Sequence, residues 1–212
     1  MSLIELHAHL LPFVDDGVKS KEQALELFNS YAEVNFSHIV VTPHLYNPLV
    51  ATKTENIRPM FEWAKKECEQ LGITLLLGSE TYIGSHAKPQ VLPFCGKYVL
   101  LEVDTMTEPL YLLPMAEDLI KKGHNVILAH VDRYRWFDIK AKLVKQLRDI
   151  GVLFQCNVDG VEKGVADQLL KANMIDVIAS DNHGDITLPF RLAATLERHY
   201  TIKERMERLF QI

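Results

Sequence analysis

Five histidines and four carboxylates of this 212-residue chain stand at the ends of apolar runs, singly or as i, i+2 pairs. His7, His9 and Asp16 fall in "IELHAHLLPFVDDG", His44 in "VVTPHLYNP", Glu80 in "LLLGSE", Glu102 in "YVLLEV", His130 in "VILAHVDRY", and Asp181 with His183 in "DVIASDNH". Two histidines at i and i+2 of an extended chain point to the same side and can grip one ion. A carboxylate ending a buried run costs several kcal/mol unless it is paired or binds a metal, which applies to Glu80 and Glu102. Taken singly, Asp16 beside Gly17 reads as a turn residue and His44 as a loop histidine. Together, metal-binding residue types at six of seven expected strand ends point to a multinuclear metal site. Imidazole and carboxylate without thiolate suit Mn²⁺, Fe or Zn²⁺. His38, His86, His124 and His199 fall at a strand start, in a loop, before a strand and late in a helix, and are read as structural.

Converging these residues requires parallel strands whose C-terminal ends meet at one mouth. Seven runs qualify: 3–6, 38–42, 74–77, 98–102, 125–129, 152–155 and 176–179, each short and rich in β-branched or leucine residues. Amphipathic stretches lie between them. In "SKEQALELFNSYAEV", Ser20 and Gln23 read as a capping box, and Ala24, Leu27, Phe28 and Tyr31 form one apolar stripe. Further helices are expected over 54–71, 109–122, 138–150, 162–173 and 189–199. Gly72, Gly123 and Gly151 sit where left-handed caps would end helices before the next strand. Residues 82–96 read as a long mouth loop. The alternation predicts an α/β fold, an irregular (β/α)₇ TIM-like barrel over residues 1–212 as one domain, with its site at the strands' C-terminal rim.

Composition removes several functions. With 23 basic and 28 acidic residues the net charge is −5, and no basic run offers a groove for nucleic acid. Cys68, Cys95 and Cys156 are odd in number and lack C-x-x-C spacing, so a disulfide framework and a zinc knuckle are not expected and a cytoplasmic setting is. No leader and no long apolar segment is evident, so membrane insertion is not expected. A cysteine phosphatase loop needs Arg six residues after Cys, but Thr74, Leu101 and Glu162 occupy those positions. GxSxG and Walker loops are also missing.

The combination of HxH, later single histidines, carboxylates at strand ends and a terminal DxH resembles the polymerase and histidinol phosphatase (PHP) superfamily. Within it, "HAHLLPFVDDGVKS", "TPHLYNP", "GSETYI", "LLEV", "AHVDRY" and "ASDNH" resemble the bacterial metal-dependent tyrosine-protein phosphatases of capsule and exopolysaccharide loci. The resemblance implies three divalent ions, Mn²⁺ foremost. His7, His9, Glu80 and Asp181 would hold one, Glu80 would bridge to a second completed by Glu102 and His130, and Asp16, His44 and His183 would hold the third. Arg133 and Arg191 match the family's phosphate-binding arginines. Asp132 departs from the family's usual Glu, and the stretch from Asn157 to Asn173 is shorter than expected.

Four ligand carboxylates and three divalent ions would leave the mouth at about +2 before the arginines are counted, which favours a phosphate dianion. Water on such ions is acidified toward a pKa of about 7, giving hydroxide for in-line attack on phosphorus. The resemblance implies a phosphotyrosine protein substrate, foremost a bacterial tyrosine kinase controlling capsule or exopolysaccharide synthesis. Alternatives are a small-molecule phosphatase such as histidinol phosphatase, and a metal-binding PHP module without turnover.

Overall fold

The computed structural model describes residues 3–84 and 90–210, so the expectation for His86 lies outside the described residues. Among the described residues nine strands form, all paired in parallel: β1 (Leu3–Ala8), β2 (Phe36–Val41), β3 (His44–Leu45), β4 (Thr74–Leu77), β5 (Glu80–Tyr82), β6 (Tyr98–Glu102), β7 (Asn125–Leu128), β8 (Leu153–Asn157) and β9 (Val177–Ala179). They make two sheets, β1-β2-β4 and β3-β5-β6-β7-β8-β9. The two extra strands are outer halves of broken staves. Pro43 has no N–H to continue the ladder after β2, and Gly78–Ser79 separates β4 from β5. Across the break, Gly78 N donates to Val41 O (2.9 Å) and Glu80 N to Pro43 O (3.2 Å), so the sheets run into one another.

Counting each broken stave once leaves the seven expected. The ring closes where Ala8 bridges Asn182 in parallel, with His9 N donating to Asn182 O and Asp181 N to His7 O, both at 2.8 Å. The fold is the irregular (β/α)₇ barrel that the alternation predicted. Its closing seam lies between the two segments richest in candidate ligands.

Around the staves run α1 (Lys21–Glu33), α2 (Thr54–Gln70), α3 (Leu112–Lys121), α4 (Lys142–Asp149), α5 (Val158–Glu162), α6 (Asp167–Lys171), α7 (Leu188–Arg198) and α8 (Tyr200–Phe210). The α1 stripe is buried as expected. Ser20 Oγ accepts from Gln23 N, but Gln23 reaches back to Lys19 N rather than to Ser20 N, so the capping box is only half made. Gly72, Gly123 and Gly151 all adopt positive φ, as the caps required.

Two expectations need correction. Of the helix expected over 162–173 only α6 forms; α5 ends at the first residue of that span, and Gly164 at φ 73° separates the two in a left-handed turn. α8 was not foreseen at all. It buries Ile202, Met206 and Phe210, and Phe210 packs 4.5 Å from the ring of Tyr98 at the start of β6. This helix therefore covers the end of the barrel opposite the candidate ligands. No helix among the described residues is long and apolar enough to cross a membrane.

Candidate metal centre

All nine expected ligand residues meet at the C-terminal rim. β1 ends between His7 and His9, and their Nε2 atoms stand 3.3 Å apart. Glu80, buried at the start of β5, is the hub. Its Oε2 lies 3.3 Å from Nε2 of His7 and of His9 and 3.0 Å from His44 Nδ1, while Oε1 lies 2.8 Å from His130 Nε2. Glu102, at the end of β6, has Oε1 3.6 Å from His130 Nε2 and Oε2 3.9 Å from His44 Nδ1. Asp181 Oδ1 is 3.3 Å from His7 Nε2. Asp16 Oδ1 lies 3.5 Å from His44 Nε2 and 3.4 Å from His183 Nε2. His130 and Asp181 both take left-handed backbone, at φ 30° and 54°, each the second residue after its strand, β7 and β9. Such strained conformations in residues other than glycine persist where surrounding structure enforces them, and they cluster at functional sites.

Three groups have potential ligand atoms within 4.8 Å of one another: His7, His9, Glu80 and Asp181; His44, Glu80 and Glu102; and His9, Asp16, His44 and His183. The first is the set implied for one ion. In the second His44 stands where His130 was implied, and His130 reaches that group through its contacts with Glu80 and Glu102; in the third His9 is added to the implied set. The donor set is oxygen and nitrogen throughout, which suits borderline and harder divalent ions. His44 Nδ1 and Asp181 Oδ1 are buried without a hydrogen bond. Burying such atoms without a hydrogen bond is costly, and cations held in their separate groups would satisfy each of them, so the residues present fit a metal centre.

The charges agree. Burial disfavours ionisation of Glu80, yet the surrounding imidazoles hold its carboxyl well below the usual range. Asp181 is likewise buried and is lowered by His7, His9 and Arg133. Burial works against charge on His9 too, but Asp15, Asp181 and Glu80 raise it well above an ordinary histidine. Without ions the carboxylates thus favour protons on His7 and His9, and metal binding must release them. Glu102 is raised, by burial and by the charge of Glu80.

The family model described as capsular polysaccharide synthesis, CpsB/CapC, matches residues 3–211. The chain belongs to that family. It is 26% identical over 209 residues to tyrosine-protein phosphatase YwqE of Bacillus subtilis (strain 168), spanning 92% of this chain and 82% of YwqE. It is 27% identical over 205 residues to the putative tyrosine-protein phosphatase CapC of Staphylococcus aureus, spanning 90% and 80%. A solved structure described with YwqE from Bacillus subtilis and CpsB from Streptococcus pneumoniae as "unique metal-dependent tyrosine phosphatases" superimposes with a TM-score of 0.84 at 24% identity, covering 99% of this chain and 94% of the other. The barrel is therefore the fold of that structure.

Two arginines were expected to bind phosphate in this CpsB/CapC chain, and the structure separates them. Arg133 lines the same cavity of about 310 Å³ as Asp16, His44, Glu80, Glu102 and His183. Its Nη1 is 2.7 Å from Asp181 Oδ2 and its side chain is half exposed. Arg191 does not line that cavity; its guanidinium is taken by Glu162, with Nε to Oε2 at 2.9 Å, and by Asp159. The pairing arises because α5, shortened at Gly164, places both acids beside α7. Asp132 accepts from Asn157 N at 2.9 Å and fills space that Gly160 leaves open. A Cβ at Gly160 would come within 2.3 Å of Asp132 Oδ2.

A supporting ring escaped sequence reasoning. Asp15, not Asp16, orients the HxH motif: its Oδ2 is 2.8 Å from His9 Nδ1 and accepts from His44 N at 3.0 Å. Gly17 makes this possible, since a Cβ there would fall 2.1 Å from His9 O. Gln155 Oε1 accepts from His130 N (2.7 Å) and lies 3.2 Å from His7 Nδ1. Its amide donates to Asn157 Oδ1 at 2.8 Å, and Asn157 Nδ2 donates to Asp181 Oδ2 at 3.1 Å. Glu5, fully buried, accepts from the N–H groups of His7 and Ser180 and from the Tyr31 hydroxyl. The available signal was the i, i+2 pair Gln155 and Asn157 in an otherwise apolar strand. His38 pairs with Ser37 Oγ, and neither it nor His124 nor His199 joins the ligand groups.

Proposed function

We propose that this chain is a metal-dependent protein-tyrosine phosphatase acting on a phosphotyrosine protein, a bacterial tyrosine kinase of capsule or exopolysaccharide synthesis. The observation that carries the reading is the convergence of nine nitrogen and oxygen donor residues, Glu80 among them as the hub, beside a cavity that Arg133 also lines. The names of the relatives support the choice of phosphotyrosine. Six exposed large hydrophobic residues, Phe13, Tyr46, Leu49, Met106, Leu110 and Ile186, sit on loops leaving strand C-terminal ends, which suits a protein-sized substrate.

His7, His9, Glu80 and Asp181 would hold one divalent ion, Glu80 with Glu102 and His130 a second, and Asp16, His44 and His183 a third, with Mn²⁺ the proposed metal. Bound ions of this kind neutralise phosphate charge and acidify water. The protein's own residues do the rest. Asp181 fixes Arg133, whose remaining N–H groups can donate to two phosphate oxygens in a bidentate clamp. Asp15 and Gln155 set the ring orientations of His9 and His7. A phenol leaving group, of pKa about 10, departs with less proton assistance than an alkoxide. With three free cysteines, the chain is proposed to act in the reducing cytoplasm.

Initial rates on a phosphotyrosine peptide, a phosphoserine peptide and histidinol phosphate, with Mn²⁺ added, test the reading. Phosphotyrosine should lead, and Arg133→Ala should raise KM for it while metal content stays at the wild-type level. A preference of about ten-fold in kcat/KM for histidinol phosphate would overturn the substrate class.

A further inference from the structure

Leu49 and Val50 are the two apolar side chains lining a cavity otherwise walled by polar and charged groups. Leu49 is 93% exposed, the highest value among the large exposed hydrophobics described. A leucine so open to water stabilises nothing in the free molecule, yet its backbone is firmly placed. Asn47, Pro48, Leu49 and Val50 form a turn in which Val50 N donates to Asn47 O (3.4 Å) and Leu49 N to Asn47 Oδ1 (2.9 Å). Asn at the first position and Pro at the second suit such a turn. The same Asn47 side chain donates through Nδ2 to Glu102 Oε2 at 2.7 Å. Farther along, Lys53 N donates to Val14 O (2.8 Å) and Asn56 Nδ2 to Phe13 O (2.9 Å), tying the segment to the loop after β1. The turn is thus registered against a candidate metal ligand, with its apolar residues on the cavity.

We propose that Leu49 and Val50 are specificity-determining residues that contact the aryl ring of the substrate while its phosphate lies between Arg133 and the carboxylate–imidazole cluster. The inference rests on the phosphatase reading and adds what selects aryl from alkyl phosphates. An aromatic ring gains by burying its face against aliphatic side chains, whereas phosphoserine presents almost no apolar surface there. Asn47 links the two functions, since one amide holds both Glu102 and the turn.

The test uses the metal-loaded full chain and the variant Leu49→Ser/Val50→Ser. Three quantities are compared with wild type: kcat/KM for a phosphotyrosine peptide, Kd by calorimetry for the same peptide bearing phosphonomethyl-phenylalanine, and the inhibition constant of inorganic phosphate. The first two should worsen about ten-fold and the third should stay within about two-fold. A loss below about three-fold in the first two, or an equal weakening of phosphate inhibition, would overturn the assignment. If the wild type neither hydrolyses nor binds the phosphotyrosine probes, the phosphatase reading itself fails, and this inference with it.

Discussion

Replacing Glu5 with alanine should loosen the seam between β1 and β9. Oε1 of Glu5 accepts from His7 N at 3.0 Å and Ser180 N at 3.2 Å, and Oε2 accepts from the Tyr31 hydroxyl at 3.1 Å. Alanine strands two buried backbone donors, at roughly 1–3 kcal/mol each, and leaves a small void, so the expected loss is about 3–5 kcal/mol. The Tyr31 hydroxyl contributes little to that loss, because Ser180 Oγ remains 3.1 Å away. Glutamine keeps an oxygen for both N–H groups and can donate its amide to Tyr31, so it should cost no more than about 1 kcal/mol. Urea unfolding of chelator-treated wild type, Glu5→Ala and Glu5→Gln reads these differences directly. In a chain of this length the alanine variant should melt about 6–20 °C lower. His7 and Asp181 adjoin the seam that Glu5 holds, so Mn²⁺ affinity measured by calorimetry should fall about 10–100-fold in the alanine variant. An alanine variant as stable as wild type, or a glutamine variant as damaged as alanine, would refute this role.

Asp15→Ala should weaken metal binding about 10–100-fold by freeing the His9 ring, with a smaller effect from Asp15→Asn, which retains an oxygen for His44 N; equal affinities by titration calorimetry would contradict it. Thiol reagents should leave turnover intact. Burial pushes the Cys68 thiol up to about 12 and raises Cys156 further, so at pH 8 only about one in ten thousand Cys68 groups is the reactive thiolate. Mass spectrometry after iodoacetamide treatment of the native chain should find both unmodified, and stoichiometric labelling of either would show that the barrel opens.

The strands 74–77 and 98–102 were legible to the residue, because their apolar runs are bounded by glycine, lysine and the carboxylates that turn into the mouth. The candidate ligands were legible for the same reason: a polar residue ending a buried run is conspicuous. Closure of the barrel through Ala8 and Asn182 was not, since it depends on residues from opposite ends of the chain. α8 carried the helical spacing of Ile202, Met206 and Phe210, but its start follows α7 so closely that the two stretches merge in the sequence. In "DDG" both acids fit a turn equally, and only the close approach of Gly17 to His9 assigns Asp15 to the ring and Asp16 to the cavity. Arg191 shows the converse limit. Its place in the sequence matched a phosphate ligand, and the structure adds ion pairs with Asp159 and Glu162 that the sequence does not display.

The most direct test of the central claim is the metal content of the purified chain measured beside phosphotyrosine turnover, through chelation and stepwise return of Mn²⁺. Turnover should vanish as metal is stripped and return in step with binding, reaching its limit near three ions per chain, and Glu80→Gln should lower content and rate together because it would serve two of them. Full turnover after exhaustive metal removal, or Glu80→Gln with wild-type metal content and rate, would contradict the account.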